Sequence, residues 1–364
     1  LGVAGVRIDA SKHIDPTQLD AILSKVKAPG LFVNQEVILQ GGSDCTCLKN
    51  EHYYRNGKVW EFKSPLVFYD VFSKDGNMGK IRDMDPANPG GWSCPWVKSD
   101  MAMTFVVNHD RLAAGSSRPY TITMFNEERY RLALITLLAH PYGQPNVLSS
   151  INFNYSTWQD TAPVRDPGDP KSSLVSPFDG NCGYWKDLPM KPYACEHRWP
   201  EVRSMVMWRN TAGVGQDTLL FDIAGDNNVL IMTRGTGSAG KAFVAVNNGA
   251  VGFKQQVDTK GMPPGTYCNI VTQQGNSHNN GGTSVEECYP CQLSCPDKVT
   301  VGPGGGLELQ LPGYQALAIH INAILPLSPP ATSAAGVSSR SGNAAVATVC
   351  VVAAAVWLGA GLLH

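Results

Sequence analysis

The segment GVRIDASKHIDPTQLDAIL, residues 5–23, decides how the rest of the chain is read. A short apolar strand runs into a cluster of charged and hydroxyl residues. Asp15-Pro16-Thr17-Gln18 then forms an acidic helix cap, with Pro at the first helical position and Gln three residues after the cap. Leu19, Ile22, Leu23 and Val26 recur at helical spacing, and Pro29-Gly30 ends the helix. LFVNQEVI, residues 31–38, is the next strand. Strand followed by helix followed by strand is the unit of a parallel sheet. The pattern returns in MTFVVNHD (residues 103–110), in a helix over Asn126 to Ala139 that leads through His140-Pro141 to a strand near Val147, and in a helix around Glu201 to Trp208.

Beyond about residue 213 the pattern changes. TLLFDIA, NVLIMTR, AFVAVNN and ALAIHI are short strands separated by Gly, Asn and Pro turns, with no helix-length amphipathic stretch between them. That reads as an antiparallel sandwich.

Lys and Arg total 29 against 30 Asp and Glu, with no long run of either sign, which argues against nucleic acid or another polyanion as the main partner. Ten cysteines in loop-like settings point to disulfides in an oxidising compartment. The metal alternative rests on Cys288, Cys291 and Cys295 in CYPCQLSC, with no His or second Cys pair at finger spacing. Asn154-Tyr155-Ser156 is a glycosylation sequon that agrees with secretion.

The chain begins directly in a strand-like run, so upstream sequence is expected. Residues 344–364 are a hydrophobic tail preceded by a Ser/Ala/Gly/Pro linker over 326–343. The small residues and polar spacer suit a GPI attachment signal, and a retained transmembrane helix is the alternative. Either would tether an extracellular protein to the cell surface.

Three strands finish with polar residues that a buried strand does not choose for packing: Arg7 and Asp9, then Gln35 and Glu36, then Asn108, His109 and Asp110. Positions two apart share a side, so Arg7 goes with Asp9, Asn34 with Glu36, and Asn108 with Asp110. In a parallel βα barrel such ends converge on the C-terminal face. A single carboxylate there would serve as a helix cap or a surface ion pair, but three in matching places suggest chemistry. Two carboxyls facing each other across a sugar can hydrolyse a glycoside, and a third can steady the developing positive charge. Arg7 would keep Asp9 ionised, and crowding by the other acids would keep Glu36 protonated, at a separation of roughly 5 Å for a retaining enzyme.

GVRIDASKH, FVNQEVI and FVVNHD resemble signature segments of the α-amylases, glycoside hydrolase family 13. The likeness continues through LLAHPYG, CEHRWPEVRSMVMWRN and PPGTYCN and is nearest to the animal-type members. The resemblance implies residues 1–212 as the C-terminal half of a (β/α)8 TIM barrel, without its early strands and its domain B, and residues 213–325 as a C-terminal β-sandwich. It implies retaining endo-hydrolysis of α-1,4-glucosidic bonds in starch or glycogen by a monomer. Asp9 would be the nucleophile, Glu36 the acid/base and Asp110 the transition-state stabiliser, with Arg7, Lys12, His13 and His109 at the substrate. The His13 carbonyl would serve a structural calcium, and Cys182 would pair with Cys195 and Cys268 with a later Cys such as Cys288.

Departures from the family pattern carry expectations of their own. Arg7 and Asn108 match two chloride ligands, but the third position reads Asn146, so little chloride dependence is expected. Val107 stands where the family often has an acidic residue, and RLAAGSS is shorter than its mobile Gly-rich loop. Amylase-like folds also serve as non-catalytic glucan-binding or membrane-associated modules, and others transfer glycosyl groups. Retention of all three carboxylates speaks for a hydrolase over the former, and product analysis separates the latter.

Overall fold

The computed structural model describes residues 3–26, 30–39, 47–87, 92–113, 120–151, 182–184, 192–272 and 297–325. Cys288, Cys291 and Cys295, the sequon, and the linker and hydrophobic tail all lie outside them.

Five parallel strands stand in chain order: β1 (Gly5–Ile8), β2 (Phe32–Gln35), β3 (Lys58–Trp60), β4 (Ala102–Thr104) and β5 (Gln144–Pro145). Helical segments connect them, namely α1 (Pro16–Leu23), α2 (Ser64–Phe72), α3 (His109–Ala113) and α4 (Glu127–Ala139), while α5 (Pro200–Ala212) follows β5. The fold is a TIM-barrel architecture followed by an all-β antiparallel domain, with the barrel represented by this run of five strands.

The Asp15 carboxylate caps α1 by accepting from the backbone N–H groups of Thr17 at 2.8 Å and Gln18 at 3.3 Å. The helix ends at Leu23, short of Pro29-Gly30, and its apolar spacing is only partly used. Leu19 is buried, while Ile22 and Val26 are 57% and 45% exposed. Among the described residues α1 packs through its Leu19 side on the 3-10 segment Asn50–Asn56, where the Tyr53 hydroxyl donates to the Ile14 carbonyl and the Asn56 amide to that of Pro16. Val3, Val6 and Phe32 are also exposed, and among the described residues β1 pairs with β2 alone.

Two of the expected strands are shorter than the sequence suggests. In MTFVVNHD the ladder stops at Thr104, because Asn108 caps a helix: its Oδ1 accepts from the Arg111 N–H at 3.0 Å. The strand near Val147 is only Gln144–Pro145.

The all-β region holds β6 (Asp217–Ala224), β7 (Val229–Thr236), β8 (Ala239–Asn247), β9 (Phe253–Asp258), β10 (Gly265–Cys268), β11 (Lys298–Val301), β12 (Gly306–Leu311) and β13 (Ala316–His320). They form two antiparallel sheets of order β13-β8-β7-β6 and β10-β11-β12-β9. The first sheet is buried on both faces. Val229, Ile231, Phe243 and Ile319 pack toward the second sheet, and Leu230, Met232, Val244 and Ala318 join the core of the barrel helices. Burial on both sides explains why NVLIMTR is a continuous apolar run, whereas β12, solvated on one face, alternates strictly.

Arg129 of α4 ties the two regions together. Its guanidinium donates to the Phe72 carbonyl, to Asn248 Oδ1, to Asp75 and to the Tyr314 hydroxyl, and stacks over the Tyr314 ring at 5.0 Å. Cys182 and Cys195 are disulfide-bonded with Cα atoms 5.4 Å apart. Cys94 and Cys268 each take part in a separate disulfide whose other cysteine lies outside the described residues. Cys288 lies outside the described residues.

Candidate active site

β1 and β2 pair with Arg7 opposite Asn34, so the residues two further on, Asp9 and Glu36, emerge side by side on the same face. Arg7 bridges them. Its Nη1 lies 2.8 Å from Asp9 Oδ1 and its Nη2 2.8 Å from Glu36 Oε2. The backbone N–H of Ala10 donates to the same Glu36 oxygen at 3.0 Å, from a residue with a left-handed φ of 45°. The carboxyls of Asp9 and Glu36 lie near enough for each to act directly on the ionisation of the other. The Arg7 fork draws one oxygen of each toward a single group.

The two acids are electrostatically unlike. The Asp9 side chain is 71% exposed and that of Glu36 only 10%. Burial raises Glu36 above the usual glutamate value, and its hydrogen bond to Asp9 adds to the rise. That same hydrogen bond, followed by Arg7, lowers Asp9 below the usual aspartate value. Of the two, Glu36 is the one whose environment favours keeping its proton and Asp9 the one whose environment favours losing it.

Asp110, on α3, acts on Asp9 through its charge, which opposes Asp9 ionisation and marks it as the third acid of the group. Its Oδ2 accepts from the Asn108 amide at 3.0 Å, and its Oδ1 lies 3.2 Å from His109 Nε2. Asn108 thus caps α3 and steadies Asp110 at once. Lys12 and the exposed His13 occupy the 3-10 turn Ser11–His13 that follows Asp9, pinned by Ser11 donating to the Ile8 carbonyl.

Calcium takes roughly six to eight oxygens. The His13 carbonyl offers one, and the described residues hold no group of three His, Cys, Asp or Glu able to bind a metal. The remaining oxygens of the expected calcium site fall to the region upstream of residue 1. Of the expected chloride residues, both Nη groups of Arg7 and the Asn108 amide are engaged with carboxylates, and Asn146 offers a neutral amide. Arg7 Nε is buried without a partner among the described residues, but a lone N–H beside two carboxylates is no anion site.

Three participants escaped the sequence reading. One is the Ala10 N–H, a main-chain group that no side-chain pattern marks. Another is Trp60, whose ring centre lies 4.9 Å from Arg7 Cζ. The third is Glu61, next to Trp60 in sequence and 1% exposed, which accepts from the N–H groups of Lys63 and Val97 and from the Tyr142 hydroxyl. The alternation in KVWEF was the available signal for the last two, in a strand three residues long.

Residues 223–322 match the family described as alpha amylase, C-terminal all-beta domain. The chain is 34% identical over 344 residues to an alpha-amylase of Tenebrio molitor, covering 89% of this chain and 63% of that protein. It is 31% identical over 306 residues to human alpha-amylase 1B, covering 79% and 54%. Among solved structures, alpha-amylase I of Eisenia fetida in complex with maltohexaose superposes with a TM-score of 0.65 at 26% identity, over 88% of this chain and 61% of that one. The chain thus spans about three fifths of the length of the relatives it matches. With that coverage, and with the all-β domain in place after the parallel strands, the chain is related to the animal α-amylases.

Proposed function

We propose that the protein carrying this chain is an α-amylase that hydrolyses internal α-1,4-glucosidic bonds of starch- or glycogen-type glucans with retention of configuration. The observation that carries the reading is the Arg7-bridged pair, an accessible Asp9 whose carboxyl is lowered beside a buried Glu36 whose carboxyl is raised. Glu36 donates its proton to the glycosidic oxygen as the bond from C1 to that oxygen breaks. Asp9 attacks C1 and forms the glycosyl ester. Asp110 faces the positive charge that develops on the ring. Glu36, now a carboxylate, takes a proton from the incoming water, which displaces Asp9 and releases the α-product. Arg7 serves both states, because it balances whichever carboxyl is ionised. Lys12, His13 and His109 are assigned to sugar hydroxyls.

The paired cysteines support an extracellular location. Attachment to the cell surface through residues 344–364 belongs to the same proposal. No helix among the described residues is long and apolar enough to cross a membrane, and the tail is not one of them.

Incubating the full-length protein with maltoheptaose, and following reducing ends and product anomer by NMR, tests the reading. Release of α-anomers that Glu36→Gln and Asp9→Asn each reduce by at least about a thousandfold in kcat supports it. Glucan binding without cleavage by the wild type would replace it with a non-catalytic module.

A further inference from the structure

The guanidinium of Arg7 touches its two carboxylates through Nη1 and Nη2. Two contact points define a line, and the plane of the group remains free to tilt about it. Nε, which could supply a third hydrogen bond, is buried without a partner among the described residues. The third contact is instead a face, because Trp60 sits with its ring centre 4.9 Å from Cζ.

Trp60 is itself immobilised. It is 7% exposed, its centroid lies 5.1 Å from Phe105 and 5.9 Å from Phe62, and those two rings meet edge-on at 5.4 Å. These rings and Met103 form a small apolar cluster of their own. The Trp60 Nε1–H is buried and unpartnered, so aromatic packing, rather than a hydrogen bond through its own polar handle, holds the indole. Register explains the placement: Lys58 pairs with Asn34, which pairs with Arg7, and Trp60 follows two residues later on the same face.

We propose that Trp60 is a positioning residue: its indole face fixes the tilt of the Arg7 guanidinium so that one Nη reaches Asp9 while the other reaches Glu36. A looser guanidinium would let Asp9 go first, since Asp9 is the more exposed acid and draws its support from Arg7 and Glu36. The charged groups that face this cation are Asp9 at the end of β1 and Glu36 at the end of β2, with Asp110 acting on Asp9 from α3.

The kinetic part of the test rests on the glycosidase reading. Trp60→Leu should move the acid limb of the kcat/KM profile upward by about one pH unit, because Asp9 must be ionised and loses part of the cation that keeps it so. Trp60→Phe retains a π face and should leave the limb near its wild-type position. The carboxyl carbon of Asp9, followed by 13C NMR in aspartate-labelled protein and assigned with Asp9→Asn, should titrate upward in parallel. That readout needs no turnover, so a wild type that cleaves no glucan would sink the glycosidase reading and still decide the role of Trp60. Should the Leu variant fail to fold, Trp60→Met carries the same comparison. Lower activity or melting temperature with an unmoved limb and an unmoved Asp9 titration would reduce Trp60 to packing. A Phe variant shifted as far as the Leu variant would show that the π face is not the cause.

Discussion

The Ala10 N–H donates to Glu36 Oε2 at 3.0 Å, and Ala10 adopts a left-handed φ of 45° to reach it. A residue with a Cβ holds that conformation at a cost of about 1 kcal/mol, rising for β-branched side chains. Ala10→Gly should therefore keep turnover and change stability by less than about 1 kcal/mol, relief of strain offsetting the greater freedom of the unfolded chain. Ala10→Val should lose about 2 kcal/mol and lower kcat, since the N–H can no longer be held against Glu36. Denaturant midpoints and initial rates on maltoheptaose check both.

Two buried histidines make the fold sensitive to acid. Burial, reinforced by the charges of Arg209 and Arg234, pushes His140 down to about 3, and burial pushes His320 down to about 4. Both fold as neutral rings, so the stability they contribute is whole above the unfolded value of about 6.5 and is lost as pH falls from there toward 4 and 3. Each should add up to about 1.4 kcal/mol per pH unit to the decline in that window. Buried Glu196, which is raised, works in the opposite sense. Comparing urea midpoints of wild type and His140→Gln from pH 7 to pH 4 isolates the histidine share. The variant curve should be the flatter one.

Arg129 should govern how firmly the all-β domain docks. Arg129→Ala removes its bonds to Phe72, Asn248, Asp75 and Tyr314 together and should cost about 2 kcal/mol, partly discounted by the exposure of Asp75. Arg129→Lys keeps the charge without the fork and should recover less than half of it. Limited proteolysis should release the all-β region of the Ala variant sooner than that of the wild type.

Chloride should make little difference to turnover. The Arg7 Nη groups and the Asn108 amide are engaged with Asp9, Glu36 and Asp110, Arg7 Nε is a single N–H, and Asn146 carries no charge. Activity before and after dialysis into a chloride-free acetate buffer is the measurement, and a large fall on dialysis would contradict the expectation.

The first βα unit was readable because its signals are local: the Asp15 cap, Pro16 at the first helical position and the packing of Leu19 all lie within five residues. The grouping of Arg7 with Asp9 followed from strand parity alone. The reach of Arg7 across to Glu36 did not, because it depends on the Arg7–Asn34 register and is not a property of either segment. β3 and α2 were missed altogether. KVW is too short for any period to show, and α2 is apolar on most sides, with Val67, Phe68, Val71 and Phe72 buried. The overlong reading of MTFVVNHD has a similar origin. Phe105, Val106 and Val107 are buried without belonging to the ladder, and composition does not distinguish the two states.

The margin formed by β1 and α1 gives the isolated polypeptide a distinctive solution behaviour. Among the described residues β1 has a strand partner on one side alone, and Val3, Val6, Ile22 and Phe32 nearby in sequence or pairing are exposed. Such a seam is adhesive toward any extended chain, including the same seam on another molecule. A separate polypeptide able to lie along β1 would act on it as a solubiliser.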